Sequence, residues 1–313
     1  MFPFKSQNFN GNIDLAILVN LIIYISILLV IPISIVLLIA KIKPTIKKST
    51  NIYLYALSAG MLLIIGTVGF LRESYEVLER NIHEQAYLAD FLEANELNEQ
   101  FLVLLIVGSG SFIGISSIFV VRYFFVRFFG VSESHQNHDE HGHHDHIVNF
   151  ADIDNPKSAW LAILLLLSHR TIDGFILGAT VAKMSSGEPL NIGLIVTFNI
   201  HIIIEILIVY YRQVQYGQTI KKAVIYNLIT TLLLVPIMTI GAFINRFLNS
   251  VWWLLPLINS SGGSILTFVV VIELTPEFIH LRNRTKKEWY LALIAFAIGI
   301  IMTLMLLAFH SHS

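Results

Sequence analysis

Leu164-Leu165-Leu166-Leu167-Ser168-His169-Arg170-Thr171-Ile172-Asp173-Gly174 runs four leucines into a histidine, an arginine and an aspartate. Further along, Phe198-Asn199-Ile200-His201-Ile202-Ile203-Ile204-Glu205 repeats the form His-x-x-x-acid. A spacing of four puts each histidine and its acid on one helix face. The apolar residues on either side extend both stretches to membrane length. Helices that cross a bilayer with ionisable groups near their middle are the reading that decides the fold.

Composition agrees. Of 313 residues 55% are hydrophobic and 13% charged, and mean hydropathy is +0.72. Soluble chains carry roughly a quarter charged residues, so this is an all-α polytopic membrane protein by composition. A formal net charge of −1 and the lack of a basic recognition motif exclude nucleic acid as a partner. The chain has no cysteine. Disulfides and thiolate metal sites are therefore ruled out, and a metal would be held by His, Asp, Glu, Asn, Met or backbone oxygen.

A span needs about 20 apolar residues. Eight segments meet this, at 14–40, 52–71, 101–128, 158–183, 190–212, 222–248, 252–279 and 287–309. The first is too long for a signal-peptide core of roughly 7 to 15 residues, so it is read as a membrane helix. Basic residues gather in every second connection: Lys41, Lys43, Lys47 and Lys48; Arg122 and Arg127; Arg212, Lys221 and Lys222; Arg282, Arg284, Lys286 and Lys287. The positive-inside rule puts those connections in the cytoplasm and both termini outside. The stretch 72–100, with eight acidic residues against two arginines, then falls outside and reads as a solvated helical extension. The chain divides into 1–130 with helices one to three, a loop at 131–157, and 158–313 with helices four to eight, all in one membrane domain.

That loop holds His135, His138, His141, His143, His144 and His146, six of the chain's twelve histidines. Such a tract cannot bury a core and has the composition of a flexible metal-binding segment. Low-affinity capture or sensing on the cytoplasmic side is the role expected of it.

Ionisable side chains inside a bilayer are costly unless paired, hydrated or coordinated, and by default they mark a pathway. His169 and His201 each fall about eleven residues into their spans, about 17 Å at 1.5 Å per residue in a core of about 30 Å, so both lie near the midplane. The short loop between the two spans makes them antiparallel neighbours. Imidazole nitrogen and carboxylate oxygen suit Zn²⁺, which makes His169, Asp173, His201 and Glu205 the candidate ligands. In ideal antiparallel helices Asp173 and Glu205 extend in opposite directions from the histidines, giving a column of ligands rather than a closed shell. The plainer alternative is a pair of internal hydrogen bonds that tolerate burial. Arg170, three residues from Asp173, is within reach of a salt bridge to it; it either neutralises Asp173 or acts as a fixed cation that excludes a second ion or gates the first.

These residues resemble the ZIP (Zrt-, Irt-like protein) family of divalent-metal transporters. The family's span-four pattern His-Asn-x-Pro-[Asp/Glu]-Gly is similar to His169 through Gly174, and its span-five pattern His-[Glu/Asp]-x-Pro, ending in any residue or in Glu, to His201 through Glu205. Ser58-Ala59-Gly60-Met61-Leu62-Leu63-Ile64-Ile65-Gly66 is similar to its span-two stretch. Gly262 through Glu277, with Glu273-Leu274-Thr275-Pro276-Glu277, is similar to its span-seven signature. The resemblance implies an eight-helix transporter with both ends outside and a His-rich cytoplasmic loop. Members with two adjacent metal positions take second-ion ligands from the residue after each histidine and from a span-six Glu before Pro. Here those places hold Arg170, Ile202 and, before Pro236, Val235. The resemblance therefore implies one ion instead of two. The motif prolines are also replaced, by Ile172 and Ile204, which leaves open the kink they would produce.

Other residues carry weaker readings. Met61 is a packing residue or a thioether donor. Glu273, Glu277 and His280 form an exit route or a solvated helix end. Ser168 and Asn199 orient the histidines or make ordinary helix-helix hydrogen bonds. His310 and His312 read as exposed tail residues. The leading expectation is a carrier of Zn²⁺, or of Fe²⁺, Mn²⁺, Co²⁺ or Cd²⁺, into the cytoplasm across the cell membrane, with no prosthetic group. Its partners are the ion and the lipid bilayer, and a homodimer is compatible with it. Two rivals stand beside it: a non-transporting sensor or scaffold closed by Arg170, and an intramembrane zinc hydrolase, which lacks a His-Glu-x-x-His helix.

Overall fold

The computed structural model describes residues 2–42, 48–96, 98–129, 156–187, 192–215, 218–275 and 285–308. Within those ranges the side chains of some helical residues, Ser168, His169 and Glu273 among them, lie outside the description. So do the histidines of the loop (His135, His138, His141, His143, His144 and His146), Glu277, His280, His310 and His312.

Every regular element among the described residues is helical. In chain order they are α1 (Ile13–Ile42), α2 (Lys48–Ile64), a π-helical turn (Ile65–Leu71), α3 (Arg72–Glu84), α4 (Ala86–Ala94), α5 (Glu99–Phe129) and α6 (Pro156–Ser186). There follow α7 (Ile192–Gln215), α8 (Ile220–Leu232), α9 (Leu234–Ser250), α10 (Leu254–Val269), a second π-helical turn (Val270–Leu274) and α11 (Lys286–Ala308). Their starts follow local chemistry. Asn12 Oδ1 accepts from Leu15 N at the head of α1, Thr219 Oγ1 accepts from Lys222 N at α8, and Thr285 Oγ1 accepts from Glu288 N at α11. Each satisfies one of the backbone donors a helix start leaves free.

Six helical stretches among the described residues are long and apolar enough to cross a bilayer: Ile13–Ile42, Ile52–Glu84, Glu99–Val121, Ile220–Asn245, Leu254–Ile272 and Lys286–Ala308. The chain is an integral membrane protein by this measure. Their large apolar side chains face outward in quantity, Val30, Leu104, Phe112, Phe247 and Met305 among them, as a lipid-solvated surface requires. The two helices that carry the candidate site stand apart. α7 contributes a shorter apolar stretch, Phe198–Tyr211, and in α6 the described side chains begin at Arg170.

The sixth segment differs from the single helix read over 222–248: it breaks at Leu233, between α8 and α9. Pro236 explains the break, since it has no N–H to give the Leu232 carbonyl four residues back and its ring crowds that oxygen. No such break occurs in α6 or α7, where Ile172 and Ile204 stand at the positions that the motif prolines would occupy. The acidic extension also differs from a wholly solvated helix. Leu78 and Ile82 of α3 and Leu92 of α4 pack on Val103, Ile106 and Val107 of α5. Ser74 Oγ donates to the Pro256 carbonyl at 2.6 Å and Asn81 Nδ2 to the Trp252 carbonyl at 2.8 Å, which ties α3 to the start of α10.

α7 separates two apolar clusters. Ile202, Ile206 and Tyr210, four residues apart, join α1, α6 and α9. Ile204 and Ile208, offset by two residues and so on the opposite face, join α2, α10 and α11. α6 runs against α9 and meets α7 only over a short stretch. Close approach of α6 and α9 depends on glycine: a Cβ on Gly178 would run into the Met238 carbonyl oxygen, and one on Gly241 into that of Phe175. Gly178→Ala should therefore lower stability by about 1–3 kcal/mol, as overpacking does. Gly108→Ala, where a Cβ meets nothing within 4 Å, should cost nothing measurable. Thermal unfolding of both variants in detergent checks the contrast.

Candidate metal site

α6 brings Arg170 and Asp173 against His201 and Glu205 of α7, and all four side chains are buried. His201 sits between the two carboxylates. Its Nε2 lies 3.8 Å from Asp173 Oδ2 and 4.0 Å from Glu205 Oε2. Both distances exceed a hydrogen bond, which removes the reading of each His-acid pair as a simple internal hydrogen bond for His201. Two donors held by one tetrahedral zinc ion, each about 2.1 Å from it, stand roughly 3.4 Å apart. A contraction of about half an ångström would therefore let His201 share an ion with either acid. The fourth candidate, His169, lies one turn before Asp173 on α6, with its side chain outside the description.

Arg170 does not pair as its position in the sequence suggests. Its Nε donates to Glu205 Oε2 at 2.8 Å, across the helix interface, with the two side chains 3% and 0% exposed. Arg170 Nη1 and Nη2 have no hydrogen-bond partner among the described residues. Asp173, three residues away on the same helix, has His201 Nε2 at 3.8 Å. The reason is tertiary: where α6 crosses α7, the guanidinium meets the neighbouring helix's carboxylate. With both acids ionised, the described part of the site carries one more negative than positive charge.

The remaining candidates are placed differently. Met61 is fully buried in the apolar cluster that includes Ile204 and Ile208, a packing position. Asn199 donates its Nδ2 to the Ile195 carbonyl of its own helix, so that group is not orienting His201. Ile202 and Val235, where second-ion ligands would stand, belong to or pack on the other apolar cluster. One group was not singled out from the sequence. Glu79 and His83 of α3 and Glu99 at the head of α5 present donor atoms all within 4.8 Å of one another, with His83 Nε2 3.4 Å from Glu99 Oε1. The spacing Glu79-x-x-x-His83 is visible in the sequence, but Glu99 arrives only through the packing of α3 on α5.

Comparison with protein families gives a match to the model described as "ZIP Zinc transporter" over residues 127–307, more than half of the chain. The matched region contains α6 to α10 and all four candidate ligands. Comparison with curated proteins gives no match.

Proposed function

Because the chain belongs to the ZIP zinc transporter family, we propose that it carries a divalent metal ion, zinc in the first instance, into the cytoplasm through one intramembrane site. The family description names a transporter, which supports carriage over hydrolysis. The ligands are His169, Asp173, His201 and Glu205. The observation that carries the proposal is the burial of His201 between Asp173 and Glu205 at the crossing of two apolar helices. Such a group has no structural use that a well-packed hydrocarbon side chain would not serve at lower cost.

The topology proposed is eight spans with both ends outside, so that 135–146 lies where released ions would be captured. Separate apolar clusters on the two faces of α7 support relative movement of two helix groups about the site, as alternating access requires. Deprotonated ligands bind metal, so protons compete with the cargo. A single ion is proposed because Arg170, Ile202 and Val235 supply none of the further donors a second one needs. The ion pair Arg170–Glu205 favours a second reading, in which the path is closed and the chain senses metal without passing it.

Reconstituted in liposomes with a zinc-sensitive dye inside, the wild-type protein should give saturable zinc uptake well above protein-free liposomes. Zinc binding without any such uptake would contradict transport and leave the sensor reading.

A further inference from the structure

Glu205 Oε2 serves two neighbours. It accepts the Arg170 Nε hydrogen bond at 2.8 Å and lies 4.0 Å from His201 Nε2. An ion bound to that oxygen at the usual distance would stand no more than about 5 Å from Arg170 Nε. At that separation, in an interior that screens poorly, a divalent ion and a guanidinium repel strongly. The two therefore oppose each other at the same oxygen.

The manner in which Arg170 is held also bears on the exchange. Arginine binds a carboxylate most firmly through two parallel N–H bonds. Here one bond, from Nε, is made to Glu205, and Nη1 and Nη2 have no partner among the described residues. The cation is buried, yet most of its donors are unspent among the described residues. A guanidinium held this way keeps Glu205 neutralised at modest strength and can be displaced.

We propose that Arg170 is a tethered competitor for Glu205: the guanidinium holds Oε2 when no ion is present and is expelled from it when the ion binds. This rests on the metal-site reading above. Arg170 then does more than fill the place of a second ion. It weakens binding of the first, and its return to Glu205 speeds release. It is a positioning residue for the cargo and never one of its ligands.

Zinc binding to purified full-length protein tests this, with Arg170→Gln, Arg170→Lys and His201→Ala compared at neutral pH. Arg170→Gln should tighten zinc binding about tenfold or more, the equivalent of one charged hydrogen bond no longer displaced. Arg170→Lys, with a cation but no planar fork, should tighten it less. In liposomes Arg170→Gln should lower both KM and maximal rate, a split that a merely structural role would not produce. Unchanged or weaker binding in Arg170→Gln, with binding abolished in His201→Ala, would overturn the exchange and spare the site. Failure of both wild type and Arg170→Gln to bind zinc would overturn both. If Arg170→Gln does not fold, Arg170→Lys decides: binding no tighter than wild type rejects the proposal.

Discussion

Replacing His201 with alanine should weaken zinc binding at least about 100-fold, beyond what loss of a group that merely supports a ligand costs, and reduce uptake to that of protein-free liposomes. The size follows from the position of the imidazole. His201 Nε2 is within 4.0 Å of an oxygen of each carboxylate. Without it, two acids on separate helices lose the imidazole that stands near both. The fold should survive, because the bond from Arg170 to Glu205 still joins α6 to α7. Equilibrium zinc binding and thermal unfolding of the same preparation separate the two effects. Binding within about threefold of wild type, well short of what even a supporting group contributes, would contradict this role for His201.

The second large effect concerns stability. Glu205→Leu removes the carboxylate from a guanidinium that is 3% exposed and leaves it without its charge partner. Breaking a buried pair from one side costs about 3–5 kcal/mol, whereas exchanging both partners for apolar groups is often neutral or favourable. The double variant Arg170→Met/Glu205→Leu should therefore recover most of the lost stability. Neither variant should bind zinc as wild type does, since Glu205 is a ligand in both accounts. Thermal unfolding of the three proteins decides the matter. A loss below about 1 kcal/mol in Glu205→Leu, nearer that of an exposed pair, would mean that Arg170 readily finds another partner. A double variant no more stable than the single one would argue that packing, and not charge, is at stake.

Much of this architecture is legible in the sequence because a bilayer imposes length and composition together. The long apolar runs become helices close to where they are read; the run at 14–40, for example, lies within Ile13–Ile42. Pro236 gave a local signal for the break at Leu233, although hydropathy passes over it smoothly. The pairing at the site was not legible. Sequence proximity joins Arg170 to Asp173, and only the crossing of α6 over α7 gives the guanidinium to Glu205. The same limit applies to α3. Its acidic residues suggest a solvated helix, whereas Ser74, Leu78 and Ile82 form a buried face whose partners lie on α5 and at the start of α10. Spacing along one helix tells which residues share a face; what that face meets depends on the neighbours.

The central claim is that one ion binds at His169, Asp173, His201 and Glu205 and that Arg170 yields Glu205 to it. Anomalous scattering at the zinc edge from zinc-soaked crystals tests it most directly. The account predicts one peak between α6 and α7, within coordination distance of His201 and of at least one of the two carboxylates, with Arg170 Nε withdrawn from Glu205 Oε2. Two peaks, no peak between those helices, or an ion beside an unbroken Arg170–Glu205 bond would contradict it.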